Sequence, residues 1–366
     1  MSALTCGFVG LGLIGGSIAK AIRQNLPDTK IIAYDINSDT LSLAKKEGIA
    51  DIVLENIDDA FSECDYLFLC APVSKNDENL KTLSGLISKD CTITDVGSVK
   101  TDIHFHIEAL GLSSQFIGGH PMAGSERIGF VNSKAILLEN AYYILTPTGD
   151  VSEEKISSYK KLVHTMGAIP LILSFQEHDY VTAAISHLPH VIASSLVNLV
   201  HASDSKEGIM KLIAAGGFKD ITRIASSSPV MWQQICLTNT ENIVSLLDDY
   251  IKALQIIREK LQIRDAEALF EFFQSARNYR ESFIDASSGP IKKSNSITVD
   301  ILDETGTLAS IANILALKSI NIKNIGIAHN REFEEGTLQI EFYEETSIEQ
   351  AVSILTEKGY TVHVKE

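Results

Sequence analysis

Residues Leu4 to Gly16 read LTCGFVGLGLIGG and run straight into SIAKAIRQNL at Ser17 to Leu26. A short apolar run opens on Gly10-Leu11-Gly12-Leu13-Ile14-Gly15, and apolar residues then recur at helical spacing. A lone GxGxxG carries little weight. Here a strand precedes it, a helix follows it, and Asp35 closes the next β-rich run, KIIAYD, twenty positions beyond Gly15. Together these meet the demands of a dinucleotide-binding βαβ unit. Gly10 permits the tight turn, Gly12 lets backbone approach a pyrophosphate, and Gly15 lets the helix pack closely on the strand. The helix N-terminus supplies N–H donors and a positive dipole. Asp35 is placed to accept from the adenosine ribose hydroxyls and would repel a 2′-phosphate, so the expected cofactor is NAD rather than NADP.

Working outward, DTLSLAKKEG, DYLFLCAP and CTITDVGS continue the alternation of helical and β-rich runs as far as Gly167. Such alternation predicts an α/β domain with a doubly wound, mostly parallel Rossmann sheet over residues 1–168. Ligands in such sheets bind at the carboxyl ends of the strands. Those ends are Gly10, Asp35, Ala71-Pro72, Gly97-Ser98 and Gly119-His120, so Ala71, Pro72 and Ser98 join Gly10, Gly12, Leu13, Ile14, Gly15 and Asp35 as the expected cofactor-binding set.

After PLILS (Pro170 to Ser174) β signals almost vanish, and residues 169–286 read as an all-helical second domain for substrate and dimerisation. Its segment VTAAISHLPHVIASSLVNLVHA, Val181 to Ala202, is apolar nearly all round, which requires burial inside the domain or against another subunit. ASSGPIKKSNS marks a linker over 287–295, and residues 296–366 follow the order βαββαβ of a ferredoxin-like α+β unit.

The 366 residues carry 31 Lys and Arg against 47 Asp and Glu, a net charge of −16. That balance argues against nucleic acid and anionic membrane as partners and for small molecules or further copies of the chain. The five cysteines show no CxxC spacing and sit in apolar runs, as reduced core residues of a cytoplasmic protein do. Neither a secretory leader nor an uninterrupted apolar run of about 18 residues is found.

Four further stretches carry a resemblance: DVGSVK (Asp95 to Lys100), GGHPMAGSE (Gly118 to Glu126), HDYVTAAISHLPH (His178 to His190) and GGFKDITRIASSSPVMW (Gly216 to Trp232). In this order behind the glycine fingerprint, the chain resembles the prephenate and arogenate dehydrogenase family along essentially its whole length. The resemblance implies NAD-dependent oxidative decarboxylation of prephenate to 4-hydroxyphenylpyruvate, in tyrosine biosynthesis. A neutral imidazole suits the acceptor of the ring hydroxyl proton, which points to His120, with Ser98 aligning it or capping the next helix. Prephenate is a dianion and calls for a cation with bidentate reach, which points to Arg223, whose bland alternative is a salt bridge with Asp220. His190 and His187 lie three apart on one helix face, His190 as a substrate contact and His187 as a contact or a packed residue. Ser125 and Glu126 complete the expected substrate set, Asp220 joins Glu126 in a charged gate, and Trp232 is expected in the core, with the pocket wall as its alternative. No carboxylate stands in HExxH register with the HxxH pair, so no metal is expected.

SITVDIL, the turn Asp303-Glu304-Thr305-Gly306 and TLASIANILALKS resemble an ACT domain, with Thr305 where proline usually precedes the glycine. The resemblance implies feedback by tyrosine at an effector site of Asp303, Thr305, Gly306, Thr307, Leu308, Asn321 and Ile322, and pairing into a homodimer. Two alternatives remain at this point. One is arogenate as substrate. The other is an inactive NAD- and amino-acid-binding sensor, which would have no need of His120, Ser98, His190 and Arg223 together.

Overall fold

The computed structural model describes residues 4–124, 127–286, 296–302, 304, 306–329, 335–344 and 346–364. The chain divides into two compact units, Met1–Ile256 and Ile257–Glu366.

The first unit opens with β1 (Thr5–Val9), α1 (Leu13–Asn25), β2 (Lys30–Tyr34), α2 (Ser38–Lys46), β3 (Ile52–Leu54), β4 (Tyr66–Leu69), α3 (Val73–Leu83) and β5 (Thr92–Asp95). The five strands form a parallel sheet in the order β3-β2-β1-β4-β5. Side chains alternate between the faces: Cys6, Phe8, Tyr66 and Phe68 enter one core, while Val9, Leu67 and Leu69 enter the other. Burial on both faces explains why β1 and β4 are continuously apolar. Phe8 pairs with Phe68 in register, their rings stacked at 4.8 Å. Each fully buried side chain of this size contributes about 1.5–3 kcal/mol. The order reverses between β1 and β4, which brings Gly10 and Ala71 together at the carboxyl edge.

α4 (Thr101–Ala109), β6 (Ile117–Pro121), β7 (Tyr142–Pro147), α5 (Glu153–Thr165) and β8 (Ile169–Ile172) follow. The last three strands form a second sheet in which β6 runs antiparallel to β7 and β7 parallel to β8, with an isolated bridge Ile93–Phe116 linking it to β5. Among the described residues no α-helix lies between β6 and β7, and the chain returns antiparallel. All five cysteines are free, as expected, and three of them are buried.

The helical part comprises α6 (Phe175–Thr182), a π-helical turn at Ala183–His187, α7 (Leu188–Ser203), α8 (Ile209–Ile213), α9 (Gly216–Thr222), α10 (Pro229–Thr238) and α11 (Thr240–Gln262). Ser174 and Glu177 form a capping box that starts α6. Pro189 in the first turn of α7 lacks an N–H, and the helix widens into the π turn just before it. The run Phe175–Ser203 is long and apolar enough to cross a membrane by length and composition. It nevertheless carries His178, Asp179 and His187, all buried within the first unit. Ala193 is the one fully buried residue of α7, so the apolar surface expected to be covered is not covered within the domain. Leu212 at 77% exposure, Ile213 at 70% and Leu237 at 72% extend that open apolar surface.

In the second unit lie α12 (Ala266–Ala286), β9 (Ser296–Leu302), α13 (Thr307–Ala316), β10 (Ile322–His329), β11 (Glu335–Phe342), α14 (Thr346–Glu357) and β12 (Val362–Val364). Its antiparallel sheet has the order β10-β11-β9-β12, the ferredoxin-like arrangement that the βαββαβ pattern predicts. Val299, Ile311, Leu338, Phe342 and Leu355 are among its core. Gly306, at φ +96°, makes the left-handed turn into α13. A cavity of about 410 Å³ lies beside Asp300, Glu304, Thr307 and Tyr360. Of the expected effector residues, Thr307 lines it, Leu308 and Asn321 are exposed elsewhere, and Ile322 packs against the core. Asp303 and Thr305 lie outside the described residues.

Candidate active site

The glycine loop has the shape a dinucleotide requires. Gly10 adopts φ +98°, and a Cβ there would lie 2.8 Å from the Ala71 nitrogen. A Cβ at Gly15 would lie 2.6 Å from the Gly10 carbonyl oxygen, so α1 abuts the end of β1 as closely as backbone allows. A Cβ at Gly12 would meet nothing within 4 Å, and that open space is where a pyrophosphate fits. α1 has no acidic residue in its first turn and no side-chain cap, which leaves the N–H donors of Leu13, Ile14 and their neighbours for an anion. Asp35 has a second task that its position in sequence does not reveal. Its Oδ2 accepts from the Leu11 N–H at 2.7 Å and its Oδ1 from the Asn37 N–H at 2.8 Å, tying the loop to the end of β2. Each oxygen keeps a lone pair for a ribose hydroxyl. The residues present therefore fit the cofactor.

On the neighbouring strand β6, His120 meets α6. Its Nδ1 lies 2.8 Å from His178 Nε2, and His178 Nδ1 lies 2.7 Å from Asp179 Oδ1. A carboxylate only accepts, so His178 Nδ1 carries a proton and donates to Asp179. Neutral His178 then has only Nε2 to accept with, so His120 donates from Nδ1 and keeps a bare lone pair on Nε2. Among the described residues, His120 Nε2 has no hydrogen-bond partner. Asp179 is held in turn: Oδ1 accepts from the Lys100 N–H at 2.8 Å, and Oδ2 accepts from the Thr101 N–H at 2.8 Å and its hydroxyl at 2.6 Å.

This carboxylate caps α4 from across the structure. The capping alternative for Ser98 is thereby corrected, because α4 starts at Thr101 and its first amides are already occupied by Asp179. Ser98 instead faces a cavity of about 330 Å³ with Ala71, Pro72, Gly97, Met231 and Gln234.

Burial pushes the His120 imidazolium well below the ordinary histidine range, and His178, Lys100 and His187 add to the effect. Burial likewise lowers His178, against the opposing pull of its bond to Asp179. For Asp179, burial acts upward, but bonds from His178, Thr101 and Lys100 outweigh it and hold the carboxyl low. Burial brings His104 and His187 down to about 4. Between the ordinary value near 6.5 and about 4, the unfolded chain binds protons that the folded chain refuses, so stability falls as pH drops through that window. Each histidine contributes about 1.4 kcal/mol per pKa unit. A drop of several kcal/mol is expected between pH 7 and 4.5, read as a lower urea midpoint, and an unchanged midpoint would contradict it.

His190 stacks on Trp232 at 3.6 Å between ring centroids and engages the Ser186 carbonyl through Nδ1, with Nε2 left over. Arg223, exposed in the turn after α9, is near enough to help lower His190 below its ordinary value, a shift that burial dominates. Trp232 is thus a half-buried partner of His190, which corrects the expectation of a core residue; its ring plane is taken up by the histidine. His187 is 1% exposed, packed on Trp232 and 3.1 Å from the Asn239 amide, and so stands behind His190. The two histidines of HxxH therefore serve different surroundings. Among the described residues no group of three or more His, Cys, Asp and Glu is arranged to hold a metal. Ser125 and Glu126 lie outside the described residues.

The sequence reading left His178, Asp179 and Lys100 without roles, although all three lie in the quoted motifs. The adjacent His-Asp pair behind a capping box was the available signal; the 58-residue separation from His120 hid the contact.

Comparison with known proteins agrees with this geometry. The family model described as prephenate dehydrogenase, nucleotide-binding domain, matches residues 18–170, and that described as prephenate dehydrogenase, dimerization domain, matches residues 174–275. The prephenate dehydrogenase of Bacillus subtilis is 40% identical over 336 residues, 91% of this chain and 90% of that one. A crystal structure of prephenate dehydrogenase from A. aeolicus, in complex with hydroxyphenyl propionate and NAD+, superposes with a TM-score of 0.73 at 35% identity, covering 77% of this chain and 99% of that one. The Synechocystis arogenate dehydrogenase structure gives 0.69 at 28% identity, over 76% of this chain and 100% of that one. On these grounds the chain belongs to the prephenate dehydrogenase family.

Proposed function

We propose that this chain is an NAD-dependent oxidoreductase that oxidatively decarboxylates prephenate to 4-hydroxyphenylpyruvate, with His120 as proton acceptor. The observation that carries the reading is the chain Asp179–His178–His120, which leaves the lone pair of His120 Nε2 free. When bound, NAD accepts the hydride from ring carbon 4. His120 Nε2 takes the proton of the C4 hydroxyl as that carbon becomes a carbonyl. Ser98, facing the cavity beside Ala71 and Pro72, orients the hydroxyl and the nicotinamide. Arg223 and His190 hold the carboxylates at the far side of the ring. Loss of CO2 then delivers its electron pair to the dienone, and the ring becomes a phenol. His178 and Asp179 fix the His120 tautomer and stabilise the imidazolium that forms, and that proton passes back from Nε2 to the ring oxygen as the phenol forms, so no proton is released overall.

Residues 1–168 form the nucleotide domain in this reading, 169–286 the substrate and dimerisation domain, 287–295 a linker and 296–366 an ACT regulatory domain bound by tyrosine. The open apolar surface of the helical part favours a homodimer, and sedimentation at the mass of two chains is the expected result; a monomer at micromolar concentration would contradict it. Arogenate remains the second substrate to compare, because the Synechocystis arogenate dehydrogenase shares the architecture.

The test is NADH formation with prephenate and with arogenate, for the full chain and for a truncation at residue 295. Prephenate is expected to be turned over faster by both forms, with tyrosine inhibiting only the full chain. No turnover of prephenate rejects the assignment, and inhibition that survives truncation rejects the regulatory role of the last 71 residues.

A further inference from the structure

Beneath Ser98 and His120 lies an ion pair with no part in the scheme so far. Lys100 is 0% exposed, and its Nζ contacts Asp95 Oδ2 and donates to the Gly119 carbonyl at 2.8 Å. Asp95 Oδ2 also accepts from the Gly97 N–H at 2.9 Å, and Oδ1 accepts from the Gly119 N–H at 3.1 Å. Both polar groups of the Gly119 backbone are therefore taken by the pair, and Gly119 directly precedes His120. Gly97, held by the same carboxylate, directly precedes Ser98.

The glycines make room for this. A Cβ at Gly119 would lie 2.6 Å from the Asp95 carbonyl oxygen, and one at Gly97 would lie 2.9 Å from Asp95 Oδ2. Lys100 also gives its own N–H to Asp179, which anchors His178. One dipeptide-scale cluster thus fixes the loop of Ser98, the strand of His120 and the histidine chain behind it.

A buried ion pair is a poor source of stability, because taking two charges out of water costs several kcal/mol per ion, and well-packed apolar replacements are often neutral or better. Its worth here is geometric and electrostatic. We propose that Asp95 and Lys100 are positioning residues for the reaction, clamping Ser98 and His120 in one register and keeping the Lys100 ammonium, paired with Asp95, against the backbone that carries His120. This rests on the reading of His120 as proton acceptor. The charged and titratable groups around His120 are His178 and Asp179 from α6, His187 from the π turn, and Asp95 and Lys100 from the β5–α4 junction. Among them Lys100, whose own ammonium burial disfavours against the opposing pull of Asp95, adds to the effects that keep the imidazole neutral.

The experiment compares wild type, Lys100→Met and Asp95→Asn/Lys100→Met as full chains. The double variant removes both charges together and keeps one side-chain acceptor, the Asn oxygen, for the Gly97 or the Gly119 amide, so it keeps the proposal testable where the single variant fails to fold. Two quantities are read: kcat with prephenate and NAD, and the titration of His120 followed by NMR of ring-labelled histidine. A folded variant is expected to lose at least tenfold in kcat, since misplacement by about 1 Å can cost about a hundredfold, with KM for NAD within about threefold. In Lys100→Met the His120 titration is expected to move upward, whereas the double variant, which changes no net charge, is read through kcat. An unmoved titration in folded Lys100→Met, or kcat within threefold of wild type in the folded double variant, overturns the proposal. Because the titration needs no substrate, it separates failure of this inference from failure of the prephenate assignment, which would appear as an inactive wild type.

Discussion

Replacing His120 with Asn is expected to lower kcat by about 10²- to 10⁴-fold, the range a positioned general base supplies. The reason lies in the hydrogen-bond inventory. An Asn amide can still donate to His178 Nε2, as His120 Nδ1 does at 2.8 Å, so the fold and the cofactor loop on β1 and α1 are preserved. What the amide lacks is a lone pair basic enough to take the hydroxyl proton. NAD affinity, followed by quenching of protein fluorescence, should stay within about threefold while NADH formation collapses. Turnover within tenfold of wild type would remove His120 from the chemistry.

The second large effect is expected at Arg223. Truncation to Ala should lower kcat/KM for prephenate by about 10²- to 10³-fold, equivalent to about 3–4 kcal/mol at 1.4 kcal/mol per decade, with most of the loss in KM. Removing a guanidinium leaves a substrate carboxylate desolvated and unpaired, which is costlier than losing an exposed surface ion pair. Arg223→Lys should recover only part of the loss, because an ammonium lacks the planar two-pronged geometry. If Arg223→Ala leaves KM for prephenate unchanged, the substrate carboxylate is held elsewhere.

The two predictions differ in how readily their residues were found. His120 was legible because GGHPMAGSE places it beside a strand end, where an open α/β sheet puts its ligands. Arg223 was legible only as a scarce cation in an acidic chain, within a motif shared with the family. Its nearness to His190, and His190's place on the face of Trp232, emerged from the packing of α7 against the turn after α9. The expected core position of Trp232 failed for that reason: an indole in an apolar helical stretch reads as filler until its neighbour is known to be a histidine. The role of Ser98 as a cap failed because the true cap, Asp179, is 79 residues away from Lys100 at the start of the helix it secures, and no local pattern announces it.

By itself the sequence determined the parallel nucleotide-binding sheet, the helical region and the βαββαβ module, because each rests on periodicities of a few residues and on glycines whose backbone freedom is a local property. It also identified the cofactor loop, since Gly10, Gly12, Gly15 and Asp35 act through spacing along one βαβ unit. Only the tertiary structure decided which nitrogen of His120 is free, what buries Lys100 and Asp95, and which of His187 and His190 is left with an open side. Those depend on contacts between residues distant in sequence, such as His120 with His178, 58 positions apart, Lys100 with Asp179, 79 apart, and His187 with Asn239, 52 apart. A hydrogen bond is set by distances of a few tenths of an ångström, and such distances exist only once strands and helices have packed.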